Sequence, residues 1–161
     1  MILNPPGLAP GSVQRLPHWP YLQAVDEALV GRGIPPGTVR ANRTYAQHGN
    51  TMYLVLVWDI SRTASRGGGL RFRWEEDAGW AYAQLGVGPS IATPTQPLTA
   101  LHRVFAAPDD VAEVAEHLVR NGRTPTGEYG AEWDRAAHVR ATIDRFRATV
   151  NQPGGLWTGA E

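Results

Sequence analysis

Four arginines, Arg62, Arg66, Arg71 and Arg73, surround the run Gly67-Gly68-Gly69, with Phe72 and Trp74 interleaved. Guanidinium forks grip phosphates through paired N–H donors, glycines let a backbone approach closely, and aromatic rings stack on bases. The stretch 62–74 therefore has the parts of a small nucleic-acid contact. The plain structural alternative is a solvated hairpin whose arginines pair with Glu75, Glu76 and Asp77 while Phe72 and Trp74 turn into the core. That alternative is favoured, because the chain has no net charge and a nucleic-acid module ordinarily carries a basic excess.

A second constellation is Trp58, Asp59 and Trp80. Asp59 follows the apolar run Met52-Tyr53-Leu54-Val55-Leu56-Val57-Trp58, and a strand end places side chains at the rim of a sheet. With an indole on either side, this is the place for a ligand pocket of a small enzyme or small-molecule binder. A turn-forming Asp beside core tryptophans explains the same residues. Glu75, Glu76 and Asp77 are adjacent and diverge along the backbone, so they do not form a hydrolytic carboxylate pair. Asp109 and Asp110 are accounted for by the positive end of a helix. His18, His48, His102, His117 and His138 have no metal-ligand spacing. Ser61, Ser65 and Ser90 lack the context of an activated nucleophile. Gly86-Val87-Gly88-Pro89-Ser90 is no phosphate loop, since Pro89 removes a backbone donor. Cysteine and lysine are both absent, which excludes thiolate and Schiff-base catalysis, cysteine zinc sites, disulfides and the P-loop lysine. No catalytic residue, metal or cofactor is assigned.

The elements that position these residues follow from hydrophobic period. Tyr21, Leu22, Val25, Ala28 and Leu29 recur at helical spacing, and Gly31 and Gly33 stop the run. After Pro35-Pro36-Gly37 the pattern becomes strand-like, over 38–47 and 51–59 around a turn at His48-Gly49-Asn50. The second of these strands is apolar throughout and is expected to be covered on both faces. Leu70, Phe72 and Trp74 alternate with arginines, and Trp80 and Tyr82 mark another strand; residues 98–105 suggest a fifth. Trp58, Trp74 and Trp80 are expected to form one aromatic wall. Pro108 and Gly122 bracket a helix with Val111, Val114, Ala115 and Leu118 inside. A last amphipathic helix is predicted over 128–150, with Trp133, Ile143, Phe146 and Val150 on its apolar face. The fold class is α+β: a helix, an antiparallel meander of four or five strands, and two helices. Its domains are a Pro/Gly-rich flexible arm (1–17), an α+β domain (18–122), an appended helix (123–150) and a flexible tail (151–161) from which Trp157 can dock back.

The zero net charge hides a split. Residues 1–74 hold eight Arg against three acids, and residues 75–161 hold seven Arg against twelve. Such a division suits head-to-tail self-association or a charged protein partner.

Tyr21-Leu22-Gln23-Ala24-Val25 with Ala28-Leu29, the pairs Trp58-Asp59 and Gly79-Trp80, and Ala107-Pro108-Asp109-Asp110-Val111-Ala112 are similar to an uncharacterised domain family of actinobacteria, especially streptomycetes, over residues 20–122. The resemblance implies a cytoplasmic domain and brings no catalytic residue with it. The element order also resembles that of type III secretion chaperones, which hold protein partners. With no basic leader and no apolar run of membrane length at the start, the reading is a cytoplasmic, non-catalytic binding or adaptor domain. It would contact a protein partner, or a second copy of itself, through Trp133, Ile143, Phe146 and Val150. Nucleic-acid binding through the arginine hairpin is the first alternative, and the pocket near Trp58, Asp59 and Trp80 the second; no membrane contact is expected.

Overall fold

The computed structural model describes residues 16–44, 48–64, 68–86 and 94–151. Most of the arm, residues 45–47, Ser65, Arg66, Gly67, residues 87–93 with Ser90, and the tail after Asn151 with Trp157 lie outside them.

Helix α1 (Trp19–Gly31) carries Pro20 in its first turn, where a missing N–H costs nothing. Its end is a Schellman turn. Gly33 adopts φ +74°, its N–H bonds Val30 O at 3.0 Å, and Ile34 N–H bonds Leu29 O at 3.1 Å, with Ile34 and Leu29 both buried. The chain then enters a five-stranded antiparallel meander in the order β1 (Thr38–Arg43), β2 (Met52–Trp58), β3 (Gly69–Glu75), β4 (Gly79–Leu85) and β5 (Gln96–Pro97). Glu75 pairs with Gly79 across a three-residue turn, where Gly79 at φ +79° supplies the left-handed residue that such a hairpin needs. Helices α2 (Pro108–Asn121) and α3 (Ala136–Val150) complete the α+β domain.

Register decides which side chains meet. Leu54 pairs with Trp74 and Trp74 with Trp80; Leu56 pairs with Phe72, and Trp58 with Leu70. This inner face is buried and receives all three helices into one hydrophobic cluster. The tryptophan wall forms as a mixed aromatic layer: Phe72 lies 5.4 Å from Trp58 and 6.0 Å from Trp80, and Tyr21 from α1 lies 5.4 Å from Trp74 and 5.0 Å from Trp133.

The indole N–H groups of the three sheet tryptophans each have an acceptor. Trp58 Nε1 donates to Ile34 O at 2.9 Å, Trp74 Nε1 to Val104 O at 2.6 Å, and Trp80 Nε1 to the Tyr21 hydroxyl at 3.0 Å. Tyr21 donates in turn to Ala106 O at 2.7 Å, so one hydroxyl ties helix, sheet and the 98–107 connection together. Tyr21→Phe leaves a buried donor and a buried acceptor unpaired and is expected to cost about 1–3 kcal/mol. Urea denaturation of the two chains measures it, and equal midpoints would refute the role of the hydroxyl.

Three expectations change. The last helix begins at Ala136, not near 128, because residues 129–133 form backbone hydrogen bonds with 100–107: Tyr129 N–H to Ala100 O, His102 N–H to Tyr129 O, Ala107 N–H to Ala131 O and Trp133 N–H to Phe105 O. The fifth strand is Gln96–Pro97. Strand β2 is covered on both faces only at its middle: its inner side and Val55 on the other side, 3% exposed, are buried, whereas Tyr53 and Val57 on either side of Val55 are half-buried.

Candidate functional site

With the helices on the inner face, the outer face of the sheet is built from the alternate residues. Two adjacent rows cross it: Arg40, Val55, Arg73 and Ala81, then Thr38, Val57, Arg71 and Ala83. Asn42, Tyr53 and Glu75 form the next row. Three arginines thus share this face with one carboxylate, with the half-buried Val57 and Ala81, and with Val55 and Ala83, which are 3% and 1% exposed.

Arg73 is held in place. Its guanidinium lies 4.3 Å from the Tyr53 ring centroid, and Nε donates to Glu75 Oε1 at 2.8 Å. Arg40, which is exposed, and Arg71, which is half-buried, have no acidic partner among the described residues. They stand on opposite sides of β2, Arg40 beside Val55 on β1 and Arg71 beside Val57 on β3.

The hairpin arginines therefore divide. Arg71 and Arg73 lie together on this face, while Arg62 sits in a 3-10 turn (Ile60–Arg62) and donates to Pro35 O at 3.2 Å. Arg66 is outside the described residues. Phe72 and Trp74 point into the core, so the aromatic part of a nucleic-acid contact is not on the surface. Of the three neighbouring acids, Glu75 pairs with Arg73, but Glu76 turns to α3, where Arg147 binds it with both Nη atoms, and it also accepts from Met52 N–H at 2.8 Å. These bonds hold the Arg147 guanidinium further toward its charged form.

Trp58 and Trp80 are 0% and 4% exposed, with their indole donors satisfied inside the core, and Asp59 stands in solvent. Its Oδ1 accepts from Ser61 N–H at 3.1 Å and from the Ser61 hydroxyl; these bonds, with Arg62 beside them, hold its carboxyl below the usual range. The two indoles are buried while the carboxylate faces solvent, and Asp59 serves as the cap of the 3-10 turn. Trp133, Ile143 and Phe146 are 7%, 1% and 3% exposed, and Val150 packs partly buried against the same cluster. The apolar stripe proposed for a partner is covered by the chain's own sheet and α1, so it offers no free contact surface.

Sequence reasoning missed Arg40. The alternation Thr38-Val39-Arg40-Ala41-Asn42-Arg43 carries the signal, but only the register with β2 places Arg40 beside Arg73 and Arg71. It also missed His18, whose ring is fully buried, stacks 6.1 Å from Trp74 and holds Tyr53 O at 2.9 Å through Nε2. Burial pushes its pKa down to about 4, against a smaller opposing effect of the Tyr53 and Asn42 backbone.

Among the described residues no group of three or more His, Asp or Glu side chains is placed to hold a metal ion, and no helix is long and apolar enough to cross a membrane. Compared with family models, with curated proteins and with solved structures, the chain matches none.

Proposed function

We propose that the protein is a non-catalytic binding domain that holds a protein partner on the outer face of its sheet. The observation that supports this reading is the one-sided packing. All three helices spend their apolar stripes on the inner face; on the outer face Val55 and Ala83 are buried, and Val57, Tyr53 and Ala81 stay half-buried beside Arg40 and Arg71. Half-buried apolar side chains mixed with arginine on a hydrogen-bonded sheet are the composition of a protein contact surface. The adaptor role is thereby moved from the last helix to the sheet.

The test places a photoreactive residue at Val57, and in a second chain at Ala141 on the exposed side of α3, in lysate of the cells that make the protein. A discrete adduct from position 57, competed by excess unlabelled chain and absent from position 141, is expected. No adduct at 57, or the same adduct from both positions, overturns the reading.

A further inference from the structure

The outer face also states what kind of segment it suits. We propose, resting on the binding-domain reading above, that its occupant is an acidic polypeptide segment whose carboxylates pair with Arg40 and Arg71 while its apolar side chains lie over Val57. Charge complementarity carries the choice. Among the described residues Arg40 and Arg71 are the two guanidinium groups on this face without a carboxylate, and they flank β2 from β1 and β3, with the half-buried Val57 beside Arg71. Neighbouring strands lie about 4.8 Å apart and same-face residues about 6.8 Å apart along a strand, so the two arginines, one row apart, stand roughly 12 Å apart on the diagonal across β2, a span that one extended chain bridges. Each can then make a bidentate, charge-assisted contact from the side.

A nucleic acid is the poorer fit. Base stacking needs an open ring, and the one aromatic residue on these three rows, Tyr53, already has its face occupied by Arg73. A second copy docking by the same face would set arginines against arginines.

The experiment is fluorescence anisotropy with the full chain and a short labelled peptide of mixed glutamate and valine, at low ionic strength, beside the same peptide with glutamine for glutamate and a labelled single-stranded DNA. The acidic peptide is expected to bind most tightly, and to lose about tenfold in affinity for each of Arg40→Gln and Arg71→Gln. Arg145→Gln, on the exposed side of α3, is expected to change nothing, and thermal melts establish that all three variants are folded. Failure of the acidic peptide to bind, equal binding of the glutamine peptide, tighter binding of the DNA, or insensitivity to Arg40 and Arg71 overturns the proposal. So does concentration-dependent mass of the chain alone that Arg71→Gln abolishes, since the occupant is then a second copy. An adduct from position 57 alongside any of these results leaves the sheet-face reading standing and removes only the acidic partner.

Discussion

A chain ended at Gly122 is expected to lose its cooperative fold. Trp133, Val139, Ile143 and Phe146 are 7%, 1%, 1% and 3% exposed and belong to the same cluster as the residues of the sheet and α1. Burying a large apolar side chain is worth about 1.5–3 kcal/mol, so these four together supply roughly 6–12 kcal/mol. Whole domains are stable by only about 5–15 kcal/mol, so the loss is comparable to the total. The truncation also strips the 98–107 connection of its partners from Ala131 and Trp133, and Glu76 of Arg147. Near-ultraviolet circular dichroism and a thermal melt test this. A shortened chain that melts cooperatively within a few degrees of the full one would show that residues 123–150 are an appendage after all. Phe146→Ala, expected to cost about 3–5 kcal/mol, gives a graded version in a chain that still folds.

The second large effect is acid sensitivity governed by His18. Its folded pKa lies near 4 against an ordinary 6.5, because a buried ring resists charge. Between those values the unfolded chain binds a proton that the folded chain does not, so protonation favours unfolding. Stability is full above about pH 6.5, falls by about 1.4 kcal/mol per pH unit below it, and levels near pH 4 after a loss of roughly 3 kcal/mol. Asp26 and Asp110 act in the opposite sense. Burial raises their pKa values, so the folded state is relatively favoured as they protonate. Both remain in a His18→Gln chain, whose amide can still donate to Tyr53 O. The comparison therefore isolates the imidazole. His18→Gln is expected to be less stable at neutral pH but to lack this slope; parallel urea midpoints for both chains between pH 7 and 4.5 would exclude His18 as the cause.

The charge split of the sequence is only partly a split of surfaces. Arg32 from the basic half bonds Glu116 of α2 at 2.9 Å, and Arg73 bonds Glu75. What survives as a one-sided excess is the outer sheet face, where Arg40 and Arg71 have no acid opposite them among the described residues.

Local chemistry was readable wherever the deciding atoms are near one another in the chain. Gly33 ends α1 through bonds spanning a few residues, Pro108 and Gly122 bracket α2, and the alternation of Leu70, Phe72 and Trp74 fixes which side of β3 is dry. The same periodicity misled at 128–135. Tyr129 and Trp133 recur at helical spacing, yet Gly127 and Gly130 weaken a helix there, and the backbone instead forms hydrogen bonds with 100–107. A hydrophobic period states that a residue is buried without stating against what.

By itself the sequence determined the α+β class, the element order, the excluded chemistries and the inward-facing aromatic positions. Only the tertiary structure decided that the apolar stripe of α3 is closed by its own sheet, that Trp58 and Trp80 are separated from Asp59 by burial, and that Arg40 joins Arg71 across β2. Those outcomes depend on strand register and helix packing between residues far apart in the chain, where the energy comes from contacts that no local pattern encodes.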